Sequence, residues 1–315
     1  MKTFDEIYEE LQSEDNGEFK EILEEGRAET AKKNKIALVL CLIIDAIILK
    51  FAFSMWRIFQ VGAIVFLQPL MTMLVADFII YVILSVIFSK TYIKYAKMYK
   101  EVIIKKLMNN FYGNLEYFPQ KQMPKYIYEE PKYIGDYNRY SSDDYMEAVL
   151  NDKYSIQMAE VETRRDSSGD RSTIITTIFH GLFTKVMMDK SINGEVRILR
   201  NGSASFDKKQ LRMDSSEFEK YFDVSASDKI LGMRLLTADV MEELIAFVNK
   251  TNMMYDVIIK GNVLYLRFRC GRMFAPSNFK KGHLDQETLR KYFYMLNLTY
   301  NLSNKITKTV EEFEV

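Results

Sequence analysis

Two histidines, two cysteines and five prolines in 315 residues leave little room for several kinds of chemistry. His180 and His283 stand far apart in the chain, so histidine-rich zinc and di-iron sites are excluded by inventory. Cys41 falls inside an apolar run, and a disulfide framework built on it and Cys270 is excluded as well. Net charge is also missing: 43 basic residues balance 43 acidic ones, so no whole-chain field draws nucleic acid. There is no G-x-x-x-x-G-K phosphate loop, no G-x-S-x-G elbow and no triad sequence around either histidine. A cleavable leader is not expected, because the first 25 residues are acidic and the first apolar run starts at Ile36. These absences argue for a protein without metal or cofactor and without enzymatic activity.

Long apolar runs, by contrast, are present twice. Ile36–Phe53 carries twelve Leu, Ile, Val and Phe residues and two charges, Asp45 and Lys50. On an insertion scale those twelve contribute roughly −4 to −7 kcal/mol against about +3 for a central Asp, so insertion in a bilayer wins by a modest margin. Val61–Phe88 has a single charge, Asp77, and at 1.5 Å per residue would reach about 42 Å, more than a ~30 Å hydrocarbon core. It must therefore tilt, or begin near the interface with Pro69 close to the helix start. Two transmembrane helices, about 36–55 and 64–89, are the expectation. Arg27, Lys32, Lys33 and Lys35 precede the first, and six lysines follow the second within residues 90–106. The positive-inside rule then places both termini in the cytoplasm at the inner membrane, with the short 54–60 connection outside. Counted from the cytosolic ends, Asp45 lies roughly 13 Å deep, Asp77 roughly 18 Å and Lys50 roughly 21 Å. Asp77 could pair with Lys50, or the two carboxylates could share a proton. The functional reading is a proton or cation path. A polar clasp between two helices, with Lys50 reaching outward, is the favoured alternative, since two helices alone make no pathway.

Charge is segregated along the rest of the chain. Between Asp5 and Glu25 ten carboxylates face one lysine, and apolar residues recur there at helical spacing, giving an acidic amphipathic N-terminal segment over 1–35 with a break near Asn16-Gly17. Residues 90–116 form a basic juxtamembrane stalk, whose Lys94 and Lys97 are candidates for anionic headgroups or a partner. Three prolines and six tyrosines in 117–140 predict an extended linker with its tyrosines on the surface. Residues 141–283 read as a mainly antiparallel, β-rich domain, with strands at Tyr154–Thr163, Thr173–Phe179 and Glu195–Arg200. Asp214 and Ser215 start a short helix, Thr237 caps a longer one to about Lys250, and a hairpin turns at Gly261-Asn262. On its second strand Arg267, followed by Arg269 and Arg272, makes a basic stripe that could hold a lipid headgroup or an acidic partner. A solvated sheet face is the bland alternative. A helix from about Asp285, in the segment 284–315, carries an apolar seam (Leu289, Tyr292, Leu296, Thr299, Ser303, Ile306, Val310, Phe313). The fold class is thus α+β: a transmembrane hairpin, a helical stalk, and a cytosolic domain ending in a long helix.

With these segments in place, the chain resembles a bacterial membrane family of uncharacterised role, catalogued as domain of unknown function 3137. The resemblance runs through Glu24, Glu25 and Arg27, the two spans, and Ile178-Phe179-His180-Gly181-Leu182-Phe183. It is most specific over residues 211–247 (LRMDSSEFEKYFDVSASDKILGMRLLTADVMEELIAF) and the hairpin ending in LYLRF. His180 stands where the family usually has lysine. The resemblance implies a membrane-bound protein and no reaction. Two functions are compatible with all this. One is a membrane-anchored binding or regulatory module engaging a protein partner, a second copy or lipid headgroups, but no nucleic acid. The other is an accessory subunit of a transporter that uses Asp45 and Asp77.

Overall fold

The computed structural model describes all residues except 15–16, 60–66, 133–134, 151–152, 169–172, 202–209, 277–278, 280 and 313–315. The expected starts of the second apolar run (61–66), parts of the turns near 169–170 and 202, and Phe313 of the seam lie outside the described residues. The chain divides into two compact units: residues 11–99 with 276–285, and residues 1–10 with 100–275 and 286–315.

The smaller unit is helical. Gly17, at φ +88°, ends the run that begins with α1 (Phe4–Ser13), because this backbone region favours a residue without Cβ. From there α2 (Glu18–Phe59) runs without interruption for 42 residues, about 63 Å, so the acidic segment and the first apolar run are one helix instead of two elements meeting at residue 35. Glu18 and Glu21 in its first turn complement the dipole. Its neighbour α3 (Leu67–Ile87) carries Pro69 in the first turn, where no intrahelical N–H is lost. Both helices are long and apolar enough to cross a membrane. Leu42, Ile47, Phe51, Leu74, Phe78 and Val86 are all more than half exposed. A short turn at Phe88–Ser89 leads into α4 (Lys90–Tyr99). Residues 276–285 are held against α2 and α4: Phe19 stacks on His283 at 4.3 Å, Arg27 donates to the Phe279 carbonyl at 2.9 Å, and Tyr95 meets the Phe279 ring at 5.3 Å.

The larger unit is built on a nine-stranded sheet among the described residues, every neighbouring pair antiparallel. Its strands are β1 (Gly113–Phe118), β2 (Arg139–Leu150), β3 (Tyr154–Ser168), β4 (Thr173–Met187), β5 (Glu195–Arg200), β6 (Gln210–Leu211), β7 (Phe222–Ala226), β8 (Tyr255–Lys260) and β9 (Val263–Phe268). They lie in the order β1-β2-β3-β4-β9-β8-β5-β7-β6. After residues 1–10, the unit continues with a π-helical turn, Lys100–Ile104, and α5 (Lys105–Asn109). Four short or medium helices follow: α6 (Lys125–Glu129), α7 (Ser216–Tyr221), α8 (Lys229–Leu235) and α9 (Ala238–Thr251). The last, α10 (Gln286–Glu312), buries every described residue of the expected seam.

Both faces of the sheet are covered. On one, Phe247 of α9 meets Tyr255 and Phe268 at ring distances of 5.3 and 5.8 Å. On the other, Met123, Ile127 and Tyr128 lie over Val161, Phe179, Phe183 and Tyr265. Residues 117–140 are therefore no linker: they end an edge strand, form α6 between two prolines, and bury Tyr128 completely. The prolines do bar a long helix, but a five-residue one fits between Pro124 and Pro131.

Candidate functional site

The expected basic stripe does not form. Arg267 is 2 % exposed, its guanidinium 4.7 Å above the Phe179 ring and 3.9 Å from the equally buried Asp256 carboxylate. It faces the layer made by α6 and is closed to headgroups. Arg269 and Arg272 follow the end of β9; Arg269 donates to the Ile178 carbonyl at 2.9 Å, and Arg272 is largely exposed. In the smaller unit Lys94 and Lys97 are exposed on α4. Cys41 lies beside Asp77 and within electrostatic reach of Asp45, which puts the two carboxylates in one polar spot between α2 and α3. One oxygen of each, Oδ1, is buried and meets no hydrogen-bond donor. Lys50 is exposed, and among the described residues no ion pair joins it to Asp77.

A second cluster of charged side chains, partly buried, lies in the larger unit. The register of β2 on β3 slips between Asp143 and Met146, and Asp144 takes φ +54°. Such a bulge re-aims side chains. Here it brings two successive carboxylates to Lys100, with Nζ 2.6 Å from Asp144 and 3.7 Å from Asp143. The Tyr117 hydroxyl, from β1, donates to the other oxygen of Asp144. Glu160, on β3, completes the cluster; carboxylate oxygens of Asp143, Asp144 and Glu160 come within 4.8 Å of one another. Three carboxylates so placed could hold a cation, and the Lys100 ammonium already supplies that positive charge.

Glu160 is 4 % exposed. It accepts the Met273 amide at 2.7 Å, while His180 Nε2 stands 3.3 Å and Arg272 Nε 4.0 Å from its other oxygen. Burial, reinforced by Asp143 and Asp144 and only partly offset by the Met273 amide and Arg272, pushes its carboxyl up to about 8. Burial also lifts Asp144, to about 6, against the lowering effect of Lys100 and Tyr117. The Tyr117 hydroxyl is held far above its ordinary range by burial and the neighbouring carboxylate of Asp144. Asp143, Glu160, Glu162, Arg164, His180 and Arg272, with Ser141 and Ser142, line an open cleft of about 550 Å³. Ser142 accepts the Met123 amide at 2.8 Å and the Tyr140 hydroxyl at 3.3 Å, so its hydroxyl serves the fold. The arrangement can hold or release a proton at near-neutral pH and can meet charges of either sign. Of these residues the sequence singles out Arg272 and His180 but none of the carboxylates. One signal was available: Ile156, Met158 and Glu160 alternate on β3, which puts a carboxylate at a core position.

On β4, Gly181 at φ +156° packs against β9 so closely that a Cβ would run into the Phe268 carbonyl. This accounts for the glycine within Phe179-His180-Gly181-Leu182-Phe183. Residues 177–308 match the proteins of unknown function DUF3137. The DUF3137 match thus takes in β4 from Thr177, the strands and helices after it and most of α10, and leaves out α2, α3 and the carboxylates of β2 and β3. No curated protein matches the chain. Among solved structures, the crystal structure of the mycobacterial trehalose monomycolate transport factor A, TtfA, is similar with a TM-score of 0.32 and 8 % identity, over 64 % of this chain and 94 % of that one. At that score the likeness carries no weight for function.

Proposed function

We propose that the protein is a membrane-anchored binding or regulatory module without enzymatic activity. Two apolar helices hold it in the inner membrane, and its sheet unit engages a protein partner in the cytoplasm. The observation that carries this reading is the run of exposed Leu, Ile, Val and Phe side chains along α2 and α3, a surface that water disfavours and lipid accepts. Lysines at both cytoplasmic ends fit the positive-inside rule. A protein partner is favoured over lipid headgroups because Arg267 is buried, whereas the open cleft offers both carboxylates and guanidinium groups. Crosslinking in cells, followed by detergent extraction and pull-down of the full chain, should recover a defined protein partner. Reversing the charge of exposed Arg272 and half-buried Arg164 at the cleft should reduce its recovery severalfold. Unchanged recovery from that double variant, or a chain that is never crosslinked, would remove the reading.

A second reading, an accessory role in ion or proton transport, is supported by the buried and unsatisfied Oδ1 atoms of Asp45 and Asp77. Replacing both by Asn should then alter ion or proton handling by membranes that contain the protein. Unaltered handling leaves a polar clasp between helices as their role.

A further inference from the structure

We infer that Glu160 works as a proton-operated latch on the contact between Lys100 and the bulge in β2. The geometry that carries this is a charge mismatch in a confined space. Lys100 enters from the π-helical turn and is shared by Asp143 and Asp144, leaving no second ammonium for Glu160. The remaining neighbours of Glu160 are weaker sources of positive charge. His180 on β4 also faces Glu162 at 3.8 Å, and Arg272 reaches in from solvent at 4.0 Å. Tyr117 on β1 is committed to Asp144, and the Met273 amide supplies one neutral hydrogen bond. An ionised Glu160 would thus be a second buried carboxylate beside Asp144, with the half-exposed Asp143 already sharing the one cation, and repulsion would act on the Asp144–Lys100 contact itself. With its proton in place Glu160 is neutral and the contact is undisturbed.

The closed arrangement binds the proton more tightly than an open, solvated one, whose carboxyl titrates near the ordinary value of 4.5. Opening is therefore favoured progressively as pH rises from about 4.5 to about 8 and changes no further above that. Asp144, also raised, adds in the same direction below about 6. Two features make the device local. A π-turn has poorer hydrogen bonding than an α-helix and recurs at functional sites, whereas Ile103, Ile104, Leu107 and Met108 behind it are buried and hold the segment in place. Asp144 itself sits in a left-handed conformation, sustained by its surroundings. Glu160 and Asp143 also line the cleft, so the state of the latch is felt where a partner would sit.

Hydrogen exchange on the detergent-solubilised full chain tests this. Segments containing the Met273 and Asp144 amides are followed from pH 5 to 9, with rates corrected for intrinsic exchange. Their opening should increase at least tenfold up to pH 8 and then level off, against an upper bound of about a thousandfold set by the displacement of the Glu160 carboxyl. Glu160→Gln, neutral and similar in shape, should abolish the rise between pH 7 and 8 and leave only the smaller contribution of Asp144 at lower pH. Should that variant fail to fold, the wild-type infrared spectrum still decides: a protonated-carboxyl band is expected to vanish with a midpoint near 8. Flat protection across the range, a rise between pH 7 and 8 that persists in Glu160→Gln, or loss of the carboxyl band near pH 5 would each overturn the proposal.

Discussion

Arg267 and Asp256 show how far a single buried charge pair depends on what covers it. Each is 2 % exposed; the Asp256 Oδ1 atom accepts the Arg200 amide at 3.2 Å, and the guanidinium lies against Phe179 and Tyr128. Removing one partner of such a pair leaves an uncompensated charge away from water, whereas removing both for apolar residues of similar volume is often nearly neutral. Asp256→Ala should therefore lower stability by about 3–5 kcal/mol, and Arg267→Met with Asp256→Leu should recover most of it. Equilibrium denaturation of the purified full chain, with the sheet unit followed by its own spectroscopic signal, would check this; a cost below about 1 kcal/mol for the single variant would contradict the burial. At this scale little of the site was legible. The alternation Tyr265, Arg267, Arg269 correctly separates two faces of a strand, but it cannot say that α6 covers the second face. Glu160 and the Asp143-Asp144 pair gain their meaning from a bulge that no local pattern announces.

Elements were far more legible than contacts, wherever their ends carry their own chemistry. Ser215 accepts the Phe218 amide at 3.2 Å and Thr237 accepts the Val240 amide at 3.4 Å, and both helices begin where those caps place them. Asn252, in the left-handed conformation at φ +53°, closes α9. The hairpin at Gly261-Asn262 and the seam of α10 were visible for the same reason: turn chemistry and periodicity are local. Three elements escape such a reading because of polar or proline interruptions. Paired aspartates break the alternation of β2, the prolines of 117–140 conceal the five-residue α6, and the edge strand β1 takes up the end of the segment expected as a helical stalk to residue 116. Composition changes at residue 35, but nothing breaks a helix there, and α2 begins just after Gly17. Thr237→Ala is expected to cost about 1 kcal/mol through the lost cap. Leu296→Ala, inside the buried seam, is expected to cost about 2–5 kcal/mol. Thermal unfolding of the two variants side by side checks the order, and an equal or reversed cost would mean that α10 is not part of the core.

For the whole molecule, the decisive feature is the pair of helices with apolar side chains facing outward, and it was legible from hydropathy alone. Insertion is energetically favourable for α2 only by a few kcal/mol, because Asp45 offsets about half of what the aliphatic side chains contribute; α3, with one charge, has the larger margin. The proposed orientation rests on the lysines that precede α2 and follow α3, which the positive-inside rule retains on the cytoplasmic side. The most direct test uses chains with Cys41→Ser and Cys270→Ala and one new cysteine at a time, treated in intact cells with a membrane-impermeant maleimide. Ser54→Cys, near the outer end of α2, should be labelled at once, whereas Lys33→Cys and Lys97→Cys should be labelled only after the membrane is opened. Labelling of Lys97→Cys in intact cells, or recovery of the chain in the membrane-free fraction without detergent, would contradict a hairpin with both ends in the cytoplasm.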